Sequence, residues 1–167
     1  MEHDARSNSS SRTLAPEAAN LGRVRPPLVY AGSLVLGLAL HYLWPVRLMS
    51  SAISTPLGAA ITVLAIGLFV SAVRTFRAAG TPVPGNLPTT TIVGTGPYRF
   101  SRNPIYLAFS LLQVGVSVWV NSVVVLLMLI PAAALMQYVV IPREEQYLEA
   151  RFQSQYLRYK ASVRRWL

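Results

Sequence analysis

The sequence predicts an all-α, polytopic membrane bundle of about four transmembrane helices, followed by a C-terminal amphipathic helix on the cytoplasmic side. Three observations carry this reading. The 167-residue chain is 53% hydrophobic and only 13% charged, whereas soluble domains average about 25% charged residues. Four apolar runs of 17 to 20 residues contain no formal charge, a length that suits helices crossing a hydrocarbon core about 30 Å thick. The charges that remain are strongly one-sided along the chain, with 15 Lys or Arg against 6 Asp or Glu.

In chain order, residues 1–25 read as a disordered tail: 7–11 are all Ser or Asn, and no apolar stretch follows until Pro26 and Pro27. The tail lacks the compact basic-then-apolar order of a cleaved signal peptide. Residues 26–167 read as one integral-membrane domain. Its spans are 28–44, closed by Pro45; 56–73, bounded by Arg74 and Arg77; 104–120; and 122–141. A soluble bundle would show a charged face on each helix, and these segments show none. The connection at Asn121 is so short that the last two spans must form an antiparallel hairpin. Pro131 falls inside the fourth span, where a lost backbone bond permits a kink. His41, Gln113, Asn121 and Gln137 are expected to make interhelical hydrogen bonds. Gln137, near the cytoplasmic end, is also a candidate for binding the acceptor. Beyond the spans, Leu148, Phe152, Tyr156, Tyr159, Val163 and Trp166 recur at three- and four-residue steps, predicting one interfacial helix over 143–166.

Four spans place the N-terminal tail, the connection 74–103 and the C-terminal tail on one side, with four, four and six basic residues. The other side has Arg47 alone. This is a positive-inside pattern, so both termini and every long loop are expected in the cytoplasm. Fourteen arginines to one lysine suggest a GC-rich bacterial genome, and hence a bacterial inner membrane.

Composition also excludes chemistry. With no cysteine, thiolate nucleophiles and Cys-based metal sites are impossible. His3 and His41 form no cluster with metal-ligand spacing, so no metal is expected. The basic residues flank apolar segments instead of decorating a nucleic-acid-binding motif, so no nucleic acid partner is expected either. Between Glu17 and Glu144 there is no acid at all. A mechanism that needs a carboxylate must therefore draw on Glu144, Glu145 or Glu149, or on the tail.

The connection 74–103 is much longer than the two to eight residues usual between bundle helices. It holds Pro82, Pro84, Pro88 and Pro97 with Gly80, Gly85, Gly94 and Gly96, which favours a fixed irregular path. Glycines 94 and 96 let backbone come close to a ligand, and Pro104 suits the first turn of the third helix, whose free N–H groups favour a negative group.

Two separated motifs now stand out: Gly94-x-Gly96-Pro97-Tyr98-x-x-x-Arg102-Asn103-Pro104-x-Tyr106, and, after a hydrophobic hairpin, Glu144-Glu145-x-x-Leu148-x-x-x-Phe152-x-x-x-Tyr156-x-x-Tyr159. Residues 60–166 thereby resemble the isoprenylcysteine carboxyl methyltransferases and the related phospholipid N-methyltransferases. The resemblance implies S-adenosylmethionine as cofactor and a cytoplasmic pocket partly closed by the C-terminal segment. It implies cofactor binding by Gly94, Gly96, Tyr98, Arg102, Asn103, Tyr106, Glu144 and Glu145, with Arg102, Asn103 and Glu145 at the reaction. Arg-His-Pro of the isoprenylcysteine enzymes is Arg102-Asn103-Pro104 here, a form closer to some phospholipid methyltransferases. Ala108 and Gln153 replace residues that are often glycine. The arginine linked to the acceptor maps onto Arg164 or Arg165.

Methyl transfer from a sulfonium is an in-line displacement that needs alignment and exclusion of water, with no metal and no enzyme nucleophile. Tyr98 and Tyr106 can offer ring faces to a cation, Glu144 or Glu145 can accept from ribose hydroxyls or an ammonium, and Arg102 can receive a carboxylate. Adjacent helical residues point about 100° apart, so one glutamate is expected on the cofactor and the other on Arg143, Arg102 or Arg99. The leading expectation is carboxyl O-methylation of a lipophilic or prenylated acceptor reached from the bilayer. Phospholipid amine N-methylation, an NADPH-dependent sterol-type membrane reductase and a non-catalytic scaffold are the alternatives.

Overall fold

The computed structural model describes residues 24–81 and 89–167. Almost all of the expected N-terminal tail, and Pro82, Pro84, Gly85 and Pro88 of the long connection, lie outside the described residues. The rest is an all-helical membrane bundle. Helix α1 (Pro26–Leu43) starts on a proline whose missing N–H costs nothing at that position. Helix α2 is Ser51–Ala78, a 3-10 turn covers Gly96–Arg99, and α3 is Pro104–Trp119. Then come α4 (Val123–Leu127), α5 (Leu129–Leu135), a π-turn segment (Met136–Val140), α6 (Ile141–Phe152) and α7 (Ser154–Ser162). Three helical stretches, Pro26–Leu43, Ser51–Ala78 and Val123–Phe152, are long and apolar enough to cross a membrane, and α3 is a shorter apolar helix.

Several elements differ from the sequence reading. Helix α2 is 28 residues long, about 42 Å at 1.5 Å per residue. It carries Arg74 and Arg77 inside its last turns, so the irregular connection begins later than expected. The fourth span is irregular at Met128, between α4 and α5, where the backbone stays helical three residues before Pro131, whose ring clashes with the carbonyl four residues back. It widens again just before Pro142. There the Ile141 N–H reaches the Met136 carbonyl, five residues back, and a π-turn is one way to absorb a proline's missing donor. The C-terminal amphipathic segment is two helices, not one. Gln153 has φ 45° and ψ −121°, which ends α6 and redirects α7.

The most extensive packing joins α2 to α3. Small residues permit it: Ser54, Gly58, Thr62, Ala65 and Ala72 are buried on α2, facing α3 with its Ala108 and Gly115. A Cβ on Gly58 would sit 2.3 Å from the Trp119 nitrogen, and one on Gly115 would sit 2.5 Å from Thr62 Oγ1. Close backbone approach of this kind is how apolar helices associate where no hydrophobic drive separates protein from lipid. At the far end Asn121, in a left-handed turn, accepts from the Leu48 and Met49 N–H groups at 2.9 and 3.0 Å and donates to the Met49 carbonyl at 2.8 Å. Gln113 donates to Ser33 Oγ at 2.8 Å, an interhelical bond. His41 differs, because its buried Nδ1 has no partner.

The α3–α4 hairpin returns the chain to the end where the 3-10 turn lies. That return sets the start of α6 beside the start of α3, and the site follows from it.

Candidate functional site

A cleft of about 950 Å³, open to solvent, lies between the 3-10 turn, the start of α3, α6 and α7. Six of the eight cofactor-binding candidates line it: Tyr98, Arg102, Asn103, Tyr106, Glu144 and Glu145.

Asn103 precedes α3 and Pro104 opens it, so Tyr106 falls in the first turn and faces inward. The Tyr106 hydroxyl donates to Glu144 Oε1 at 2.6 Å, and its side chain is buried. Glu144 lies three residues beyond the last apolar span. Burial pushes its carboxyl up to about 7, the Tyr106 hydrogen bond opposes that shift, and the neighbouring Glu145 charge adds to it.

Glu145 turns the other way. Its Oε2 accepts from Arg165 Nη2 at 2.7 Å and its Oε1 from Arg165 Nε at 3.1 Å, a bidentate fork. Arg102 Nη1 lies 3.0 Å from Glu145 Oε1, and Lys160 stands 3.9 Å from Oε2. Three cations around one buried carboxylate commit it to holding the structure together.

The chain end is fastened across these residues. The Arg102 N–H donates to the Arg164 carbonyl at 3.0 Å, and Asn103 Nδ2 donates to the Arg165 carbonyl at 3.0 Å. Trp166 Nε1 donates to Gln137 Oε1 at 2.8 Å. Gln137, Arg164 and Arg165, expected at the acceptor, are therefore not gathered in the cleft. Gln137 holds Trp166, Arg165 holds Glu145, and the Arg164 side chain is exposed.

Gly94 and Gly96 do not line the cleft. Gly96 has φ 56°, and a Cβ there would meet Thr75 Oγ1 at 2.7 Å. Its glycine serves a turn packed on α2, not a ligand.

Several lining residues escaped the sequence reading: Phe76, Tyr147 and the segment Thr91 to Val93. Tyr156 and Tyr159, at apolar-face spacing in the sequence, both line the cleft, and the Tyr159 hydroxyl donates to the Tyr98 carbonyl at 2.9 Å. The spacing of Tyr147, three after Glu144 and so on the same helical face, was the available signal. Burial raises the phenols of Tyr98 and Tyr159, and pushes Tyr156 up to about 12, so all three stay neutral donors. Tyr98 meets Phe76 edge-on at 4.7 Å.

The polar atoms left over are informative. The hydroxyls of Tyr98 and Tyr147 and the Nε of Arg102 are buried without a hydrogen-bond partner in the protein, while Arg102 Nη1 is paired with Glu145. Buried donors without acceptors cost about 1–3 kcal/mol each. All three residues line one cleft beside a second carboxylate, a donor set suited to a ligand with hydroxyls, an anionic group and a cationic group.

A family model described as phospholipid methyltransferase matches residues 53–155, more than half of the chain. An uncharacterized protein of Haemophilus influenzae is 36% identical over 63 residues, which are 38% of this chain and all of that protein. No solved structure gives a significant match.

Proposed function

Because the chain belongs to the phospholipid methyltransferase family, a family of membrane methyltransferases, we propose that it transfers a methyl group from S-adenosylmethionine to a lipophilic acceptor in the bilayer. The observation that carries the reading is the meeting of two motifs 38 residues apart, Tyr106 with Glu144, in a cleft that also holds Arg102.

S-adenosylmethionine, when bound, supplies an electrophilic methyl on a sulfonium. The unpartnered Nε–H of Arg102 and the free amides at the start of α3 suit its carboxylate. Glu144 suits its hydroxyls or its ammonium, and the Tyr98 and Tyr147 hydroxyls are spare donors. Phe76 and the tyrosine rings make much of the cleft wall apolar and present negative ring faces to a cation, worth about 0.5–2 kcal/mol for each ring engaged. Glu145 and Asn103 act by holding Arg102 and the chain end. The basic residues on the cleft side support a cytoplasmic placement of both termini in a bacterial inner membrane.

The isoprenylcysteine resemblance supports a carboxyl acceptor. One observation favours an amine instead. Arg165 and Arg102 are both engaged by Glu145, which leaves Glu144 as an uncompensated acid able to attract an ammonium and take its proton.

Equilibrium binding of labelled S-adenosylmethionine to the detergent-solubilised chain tests the cofactor. Saturable binding that weakens at least tenfold in Glu144→Ala is expected, and no saturable site would sink the reading. Transfer of label into host lipid and protein, followed by mild base, separates the acceptors: methyl esters release the label and N-methyl groups keep it.

A further inference from the structure

We infer that Tyr30, on a helix outside the matched family segment, is a positioning residue for the Tyr106–Glu144 pair. The inference takes from the functional reading only that this pair belongs to the cofactor cleft. Helix α1 precedes residues 53–155, yet Tyr30 is buried in the same apolar cluster as Tyr106, Met136, Val140 and Ile141. Its hydroxyl lies 2.9 Å from Ser110 Oγ, and its ring is 5.5 Å from that of Phe109. Phe109 and Ser110 follow Tyr106 by three and four residues, so all three share the face of α3 that Tyr30 covers.

A second polar contact fixes the register of this seam. Ser33, three residues after Tyr30, accepts from Gln113 Nε2 and donates to the Met128 carbonyl at 2.6 Å. Gln113 is three residues after Ser110. Two hydrogen-bonded steps at matching helical spacing leave α1 one register against α3. In an apolar surround such bonds set which faces meet more than how strongly they bind.

The Tyr30 hydroxyl is engaged by Ser110, so Tyr30 acts on the site through packing. It backs the cluster from which the Tyr106 ring reaches Glu144. Without that backing the Tyr106 ring gains freedom and its 2.6 Å bond to Glu144 loosens. The titratable groups facing Glu144 are Tyr106 from α3, Tyr98 from the 3-10 turn and its neighbour Glu145.

The test follows the Glu144 side-chain carboxyl by NMR in the ligand-free, detergent-solubilised chain, with S-adenosylmethionine binding measured in parallel. Tyr30→Ala, or Tyr30→Leu if the alanine chain does not fold, should move the Glu144 midpoint up by about one pH unit, toward that of Tyr106→Phe, as the hydrogen bond that holds it down loosens. Tyr30→Phe, which keeps the ring, should restore it. In a Tyr106→Phe background the Tyr30 change should move the midpoint no further. A midpoint unmoved by Tyr30→Leu, or an additive shift in the double variant, overturns the inference. Absence of cofactor binding by the unaltered chain would remove the functional reading instead, and the NMR result would still decide the role of Tyr30.

Discussion

The Tyr106 hydroxyl donates to Glu144 Oε1 at 2.6 Å, while the next residue, Glu145, faces Arg102 and Arg165. Two adjacent carboxylates thus have opposite surroundings. One is desolvated with a single neutral donor, and the other is surrounded by cations. This division lets one cleft hold both a titratable acid and a carboxylate engaged in ion pairs.

A pH dependence follows from Glu144. Its carboxyl is raised from 4.5 to about 7, so burial favours the protonated form in the folded chain. The sign is then fixed: this term stabilises the fold fully below about 4.5 and is lost as pH rises through about 7. The slope can reach about 1.4 kcal/mol per pH unit in that window. Thermal unfolding of the ligand-free chain should show stability falling from pH 5 to pH 8, and Glu144→Gln should flatten that fall. Cofactor affinity should move oppositely, weakening below about pH 7 where the carboxylate is lost.

Glu145 gives a stability prediction. Removing it leaves Arg102 buried without a counterion, and breaking a buried pair from one side typically costs about 3–5 kcal/mol. Arg165→Ala leaves Glu145 paired with Arg102, so its cost should be about 1–2 kcal/mol. Unfolding midpoints of Glu145→Ala, Glu145→Gln and Arg165→Ala should rank in that sense, with Arg165→Ala the mildest. Equal effects would show that Arg165 and Arg102 do not share the load as the geometry indicates.

The contact between α2 and α3 predicts a sharp contrast among glycines. Gly58→Ala and Gly115→Ala each force a methyl to within 2.7 Å of backbone atoms on the facing helix, an overpacking cost of about 1–3 kcal/mol or more. Gly67, with nothing within 4 Å of its would-be Cβ, should accept alanine and gain from helix propensity, about 1 kcal/mol. Monodispersity in detergent and the melting temperature check all three.

Two positive-φ positions should respond in opposite directions. Gly96→Ala places a Cβ at φ 56° and 2.7 Å from Thr75 Oγ1, so it should destabilise the turn and weaken ligand binding. Gly94→Ala meets only the Tyr159 ring at 3.6 Å and should be tolerated. At Gln153, φ 45° strains a residue with a Cβ. Gln153→Gly should therefore raise stability by about 1–2 kcal/mol, read as a higher melting temperature with cofactor binding unchanged.

How much of this was legible in sequence varies by residue. Apolar run length gave the membrane bundle, because hydrocarbon thickness sets helix length. Pro131 marked a weak point in the fourth helix, since a missing donor is a local property. The π-turn before Pro142 was not legible, because whether a helix answers a proline by kinking or widening depends on its neighbours. Gln153 stood where related chains often carry glycine, and that substitution held the signal for the broken C-terminal helix. Tyr147, Tyr156 and Tyr159 looked like amphipathic spacing, since periodicity says which face is apolar and not what covers it.

The sequence by itself determined the fold class, the absence of thiol chemistry and the confinement of usable acids to one short segment after the last span. Those are properties of composition and of order along the chain. Only the tertiary structure decided that Glu144 meets Tyr106 while Glu145 is held by Arg102 and Arg165, that Gly96 serves a turn against Thr75, and that Gln137 and Arg165 fasten the chain end. Each of these is a contact between residues at least 20 positions apart. Its existence depends on helix register and on which donors remain unpaired after packing, and neither is encoded in any local stretch.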